Sequence, residues 1–269
     1  KLVTLKKDVP VKNKLDDFLL KEIDKKKLYD FLREMEFNRL LSSVISTYGE
    51  IDFKKDFKEK SKESLTKISD ENYFLVDNEK DIKQWLAEAE EKGELAIDTE
   101  TTSIDPHQAK LVGISISTKI GKACYIPINH EKGKNLKEEN VLKIIKPTLE
   151  DKSIKKIGQN IKFDYTILFH RGIKMNSMED TMLMSYVLDA GKNRHNMNTL
   201  SEIHLGHNPI TFKDLVGTGK KQINFSQVEI DKAKNYSAED ADITLRLYKK
   251  FLKNLKSENL VNIYEIFEK

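Results

Sequence analysis

Two acids separated by one residue, Asp98 and Glu100, sit in the run Leu95-Ala96-Ile97-Asp98-Thr99-Glu100-Thr101-Thr102. The apolar start of that run predicts a strand. Strand side chains alternate, so Leu95, Ile97 and Thr99 share one face while Ala96, Asp98 and Glu100 share the other. Acids are depleted in strands, and two carboxylates on one face repel each other unless a cation lies between them. A hard divalent ion such as Mg²⁺ or Mn²⁺ prefers oxygen ligands and meets that need. A solvated acidic strand end has the same composition, so this run alone leaves both readings open.

Two helical patterns carry acids where apolar residues belong. Over residues 160–171, Ile161, Asp164, Ile167 and Leu168 fall on one face at spacings of three and four. A lone carboxylate in a buried stripe costs several kcal/mol, or stays protonated, unless it is paired or bound to metal. An acid near a helix N-terminus is also favoured by the macrodipole, which is the alternative reading. Over 227–255, one long helix is expected, with Ala233, Tyr236, Asp240, Ile243 and Leu247 forming a stripe. Tyr236 and Asp240 are one turn apart and must be neighbours; a buried tyrosine bonded to an acid explains that pair equally well. Glu239 and Asp242 fall off the stripe and are expected to be solvated surface charges. Taken together, Asp98, Glu100, Asp164 and Asp240 suit two divalent ions. Such a pair, roughly 3.5–4 Å apart, serves in-line phosphoryl displacement, with Tyr236 orienting the attacking water.

The surrounding pattern is that of an α/β protein with a mixed central sheet flanked by helices. Strands are expected at 73–76, 111–117, 122–128 and 154–158, the middle two as a hairpin. Helices are expected at 78–92, opened by Asn78 and closed by Gly93, at 135–149 with a bend or break near its end at Pro147, at 160–171 and at 178–188. The stretch 190–221 reads as polar connection. Upstream lie a short strand over 2–10, an amphipathic helix over 25–47 and a charged, apolar-poor linker over 48–71.

The 269 residues carry 47 Lys and Arg against 44 Asp and Glu, a net charge of +3, so any nucleic-acid surface must be local. Hydrophobic residues make up 38% and charged residues 34%. No apolar run reaches the ~20 residues of a membrane helix, and no signal peptide is visible, so a cytoplasmic monomer without membrane contact is expected. The start at Lys1 reads as a fragment or a processed product. The single cysteine, Cys124, excludes an internal disulfide and a thiolate metal cluster and reads as a buried filler.

Three motifs carry a family resemblance. Asp98-Thr99-Glu100-Thr101, Asn160-Ile161-Lys162-Phe163-Asp164 and Tyr236-Ser237-Ala238-Glu239-Asp240 resemble the three exonuclease motifs of the proofreading region of bacterial family A DNA polymerases, the DNA polymerase I family. The third has the tyrosine four residues before the last acid, as in the tyrosine-type branch of the four-carboxylate exonucleases. Tyr125-Ile126-Pro127-Ile128-Asn129-His130, Met178-Glu179-Asp180-Thr181-Met182 and His195-Asn196-Met197-Asn198-Thr199-Leu200 agree as well. Residues 1–47 resemble the end of the preceding 5′-nuclease domain and residues 72–269 the exonuclease domain, and no polymerase domain is expected within these 269 residues.

The resemblance implies a ribonuclease H-like fold with an N-terminal helical extension. It further implies release of nucleoside 5′-monophosphates from a single-stranded or frayed DNA 3′ end. Two divalent cations, Mg²⁺ or Mn²⁺ with Zn²⁺ possible at one site, would be needed. By the same resemblance Asp98 bridges both ions, Glu100 and Asp240 hold the tighter one, and Asp164 holds the second through water. Ile104 and Phe212 match positions that wedge or stack terminal bases, and Thr99, Gln159, Asn160 and Lys162 match positions near the substrate strand. Lys192, Arg194, His195, Lys220 and Lys221 are further candidates to track phosphates. The covalent partners implied are a polymerase and a 5′-nuclease domain in a parent protein associated with the nucleoid. Two competing readings are an RNA 3′-end processing exonuclease of the same branch and a non-catalytic single-strand-binding or spacer module.

Overall fold

A computed structural model describes residues 22–35, 37–49 and 68–269, with a few single positions before residue 22. The chain forms two compact units, Lys1–Glu63 and Ser64–Lys269. The strand expected over 2–10 and nearly all of the linker expected over 48–71 lie outside the described residues.

In the first unit the single helix expected over 25–47 is two helices, α1 (Lys25–Glu34) and α2 (Asn38–Tyr48). Asp24 caps α1 by accepting from the Lys27 N–H, and the chain turns at Met35. The Tyr29 hydroxyl closes the pair with a 2.6 Å bond to the Gly49 carbonyl. That closure explains why Tyr29 and Leu32 are buried while Phe31, Met35 and Leu40, which share the apolar pattern, are exposed.

The second unit begins with β1 (Tyr73–Leu75), α3 (Glu79–Lys92) and β2 (Glu94–Thr101), followed by the hairpin β3 (Leu111–Lys119) and β4 (Lys122–Pro127). Asn78 caps α3 through a 3.0 Å bond from the Asp81 N–H. Gly93 ends that helix at φ 67°, a left-handed turn that glycine reaches without strain. Ile82, Trp85, Leu86 and Ala89 are the buried face, and each large side chain there contributes about 1.5–3 kcal/mol on burial. Next come α4 (Glu138–Glu150), β5 (Lys155–Gly158), α5 (Ile161–Phe169), β6 (Met178–Asp180), α6 (Thr181–Asp189), α7 (Met197–Leu205), α8 (Phe212–Val216) and α9 (Ile230–Ser257).

Three expectations are corrected. The 178–188 helix opens with strand β6, whose residues pair with β5. The polar stretch 190–221 contains α7 and α8, each closed at its N-terminus by a side chain, Asn196 and Thr211. Pro147 lies inside α4 rather than ending it.

The sheet order is β1-β4-β3-β2-β5-β6. Strands β4, β3 and β2 are antiparallel neighbours, while β1 on β4, β5 on β2 and β6 on β5 are parallel. One face, with Leu95 and Ile97 of β2, packs with residues of α3, α4 and α5. The other, with Ala96, packs with residues of α6, α7 and α9. The alternation expected of β2 is therefore realised, and Asp98 and Glu100 share the face of Ala96. Cys124 is buried in β4, where burial raises its thiol pKa. No helix among the described residues is long and apolar enough to cross a membrane.

Candidate active site

Three elements converge at the end of β2. From one face, α9 presents Tyr236, Ser237 and Asp240; from the other, α5 presents Asp164. Asp98, Glu100 and Asp240 each offer a carboxylate oxygen, and these atoms lie within 4.8 Å of one another. Asp164 is held separately: its Oδ1 accepts from the Thr99 N–H at 2.9 Å and from the Thr99 hydroxyl at 2.6 Å. A triad on one face and a fourth acid anchored to the opposite face thus meet around one strand.

The electrostatics follow from burial without counter-ions. Burial pushes Asp98 up to about 6. It raises Glu100 well above the usual carboxylate range, helped by Asp98, Asp240 and Asp164, while the Ser237 hydroxyl at 2.6 Å opposes the rise. Asp164 rises through burial and the Asp98 charge, against the two Thr99 bonds. Asp240 rises for the same two reasons, and the Tyr236 hydroxyl opposes it. Burial and the neighbouring acids move Tyr236 far upward, so its phenol stays neutral and keeps its proton to donate. The charges that raise Glu100, those of Asp98, Asp240 and Asp164, are all acidic, which is the pattern a divalent cation relieves. The donor set, all hard carboxylate oxygen, fits Mg²⁺ or Mn²⁺.

A pH test follows. The folded-state pKa of Asp98 lies above the ordinary value, so its stabilising contribution is complete below about 3.9 and is lost as pH rises through about 6. In EDTA, the stability of Asp98→Asn relative to the unsubstituted chain should therefore grow as pH rises from 4 through 6, and go on growing above it because the Asp98 charge no longer opposes ionisation of Glu100, Asp164 and Asp240. Parallel stability curves across that range would contradict the burial of this carboxylate.

Asp98, Glu100 and Asp240 open into a cleft of about 770 Å³ lined also by Thr99, Ile104, Phe163, Phe212, Ile223 and Phe225, while Asp164 lies buried behind Thr99 and outside that lining. Ile104 is 95% exposed and Phe212 is 44% exposed, so both present apolar surface at its rim. Phe212 lies parallel to Phe225, with ring centres 6.4 Å apart, and edge-on to Tyr236 at 6.4 Å. Gln159, Asn160 and Lys162 do not line this cleft. The Gln159 amide is committed at both ends, to the His195 carbonyl at 2.7 Å and the Thr181 hydroxyl at 2.5 Å. His195 bonds the Ser185 hydroxyl at 2.9 Å, as a hydrogen-bonding loop residue would. Lys192 pairs with Asp189, and the side chain of Lys220 lies outside the described residues.

The structure overturns the expectation for two acids of α9. Glu239 is 7% exposed and Asp242 fully buried. Glu239 accepts from the Ile210 N–H at 2.7 Å and meets His207 Nε2 at 2.8 Å, tying down the loop that carries Phe212. Asp242 pairs with Arg246 at 3.0 Å, accepts the Tyr73 hydroxyl at 3.0 Å and accepts the Gly121 N–H at 2.7 Å. Ser237, the partner of Glu100, was not among the expected site residues. Its place in the third motif, one residue after the tyrosine, was the available signal.

The sheet order, the helix lying along one face and the acids at the end of the central strand define a nuclease domain of ribonuclease H-like fold. A family profile described as 3′-5′ exonuclease matches residues 73–256. The chain belongs to that family. It is 42% identical over 209 residues, 70% of its length, to DNA polymerase I of Rhizobium leguminosarum. Over 267 residues, 95% of its length, it is 37% identical to DNA polymerase I of Pseudomonas aeruginosa. It spans 20% and 28% of those proteins. Among solved structures it resembles Escherichia coli RNase D, with a TM-score of 0.55 and 16% identity over 72% of this chain and 48% of that one. Brucella melitensis NrnC with bound Mg²⁺ gives 0.53 and 23% over 71% and 85%. These two likenesses are of fold.

Proposed function

We propose that this chain hydrolyses single-stranded or frayed DNA 3′ ends to nucleoside 5′-monophosphates with two divalent cations, as the proofreading part of a DNA polymerase I. The carrying observation is the meeting of Asp98, Glu100 and Asp240 within 4.8 Å beside the Thr99-anchored Asp164. The polymerase relatives support DNA as the substrate. They also support a parent chain with polymerase and 5′-nuclease domains, the latter ending in residues 1–47, since the Pseudomonas protein matches 95% of this sequence. In that reading residues 48–71 connect the two parts.

Asp98, Glu100 and Asp240 would hold one cation, and Asp98 with Asp164 the other. When bound, the ions supply activation of a water and neutralisation of charge on the attacking and leaving oxygens. The chain's own groups do the rest. Ser237 fixes the Glu100 carboxylate, Thr99 fixes Asp164, and the neutral Tyr236 hydroxyl, bonded to Asp240, orients the attacking water through its oxygen. Ile104 and Phe212 receive unpaired terminal bases by sequence-tolerant stacking, of order 1–3 kcal/mol per base. Selection of mismatched ends would then come from fraying, because contacts to base faces carry little base identity.

Incubation of a 5′-labelled single strand with the chain and Mg²⁺ or Mn²⁺ should give a ladder of shortened products that EDTA abolishes. An unshortened strand would sink the proposal, and faster shortening of the matching RNA strand would reassign it to RNA processing. Tyr236→Phe should slow the cleavage step by about 10²-fold, the lower range for a lost positioned donor, and leave strand binding nearly unchanged. Equal losses in both would contradict the water-orienting role.

A further inference from the structure

The motif Met178-Glu179-Asp180-Thr181-Met182 contains a carboxylate outside the acid cluster that touches more of the catalytic framework than any other residue of that motif. Asp180 is 5% exposed at the end of β6. Its Oδ1 accepts from the Asn160 N–H at 3.0 Å, the Met182 N–H at 2.8 Å and the Leu183 N–H at 3.4 Å; its Oδ2 accepts from the Ile161 N–H at 3.0 Å. One carboxylate therefore closes the N-termini of two helices, α5 and α6, and completes donors that each helix start otherwise leaves open.

The capping of α5 is unusual because its own N-cap residue cannot supply it. Asn160 stands at φ 59°, and its side chain makes no capping bond. Gly158 precedes it where a Cβ would lie 2.8 Å from the Ile161 side chain, so the chain doubles back tightly between β5 and α5. The first turn of α5 carries Asp164. Asp180 is itself held from outside: its N–H donates to the Tyr264 hydroxyl at 2.9 Å, and that hydroxyl donates to Glu179 Oε2 at 2.9 Å. Lys269 Nζ meets the other Glu179 oxygen at 2.8 Å.

We propose that Asp180 is a positioning residue for the active site, holding the first turn of α5 so that Asp164 reaches Thr99 and the acid triad. Tyr264 is its outer brace. The inference rests on the metal-dependent nuclease reading, and the test separates the two. Asp180→Ser retains a side chain able to cap α6 at Met182 and Leu183 but too short to serve Asn160 and Ile161 as well. Asp180→Asn keeps the volume and the oxygen that serves Asn160, Met182 and Leu183 but loses the acceptor for Ile161, so it weakens the hold on α5 alone if Ser leaves a disabling void.

The measurements are thermal denaturation, kcat and KM on a labelled single strand, and calorimetric titration of Mn²⁺ without substrate. The expected result is a folded protein whose kcat falls by about 10²-fold, the scale of a misplaced catalytic group. KM should stay within a few-fold of the starting value. Mn²⁺ affinity should fall by about tenfold or more, as when a partner of a metal ligand is removed. A purely structural cap would instead lower the melting temperature and leave kcat and Mn²⁺ affinity unchanged in the folded fraction, which would overturn the proposal. If the unsubstituted chain binds Mn²⁺ yet cleaves nothing, the nuclease reading falls, and the Mn²⁺ affinities of the two variants still decide the role of Asp180.

Discussion

Asp98→Ala should lower single-turnover cleavage of a labelled strand by on the order of 10³-fold or more. Its oxygen belongs to the group shared with Glu100 and Asp240, and its charge is felt by Glu100, Asp164 and Asp240 alike. It is the acid whose charge raises each of the other three. Charge stabilisation by bound divalent ions amounts to several kcal/mol, and each 1.36 kcal/mol is a tenfold change in rate, so about three decades is the floor for losing the shared ligand. Strand binding should survive or tighten, because a negative charge has been taken out of a cleft that receives phosphates. A rate that stays within about tenfold, roughly 1.4 kcal/mol, would displace Asp98 from the centre of the site.

At Asp242, two residues beyond Asp240 on α9, the expected effect is on stability instead. Asp242→Ala should cost about 3–5 kcal/mol in chemical denaturation, because Arg246 would keep a fully buried guanidinium without its carboxylate. The ion pair is 3.0 Å long, with side chains 1% and 0% exposed. The Tyr73 hydroxyl and the Gly121 N–H would lose their acceptor as well. Cleavage per folded molecule should hold, since the bonds of Asp242 run to Arg246, Tyr73 and Gly121 and not to any of the four acids. A loss below about 1 kcal/mol, the scale of an exposed pair, would mean that the interior accommodates Arg246 without it.

The contrast between Asp240 and Asp242 marks where sequence reading succeeds and where it stops. Asp240 was legible because it interrupts an apolar stripe that includes Ala233, Ile243 and Leu247. Asp242 was misread because the opposite side of α9 looks polar by composition, and its burial depends on β1 and on the turn between β3 and β4 arriving there from far along the chain. The same holds for Glu239, whose partners His207 and Ile210 lie in a loop with no periodic signal. Local rules worked where one residue decides the outcome: Asn78 and Gly93 bounded α3, and alternation in β2 separated Ala96 and Asp98 from Leu95 and Ile97. They failed at 178–188, where an apolar run of helical length begins as a strand because β5 offers a parallel edge. They failed also over 25–47, where α1 ends at Glu34 and α2 begins at Asn38 although the apolar spacing continues across both. For the substrate positions, Ile104 and Phe212 do stand at the cleft. Gln159 does not, because its amide is used within the fold.

The two margins of the sheet have a consequence for the behaviour of the domain in concentrated solution. Strands β1 and β6 at the ends of the order are three residues each. An edge strand is a template on which another chain can add its own strand, and the hazard grows with the length of unpaired backbone. Here the two outermost strands are short, and β2, β3 and β4 each have a strand on both sides over at least part of their length. The native domain should therefore resist strand-to-strand association, and aggregation on heating should begin with opening of the sheet instead of at its edges.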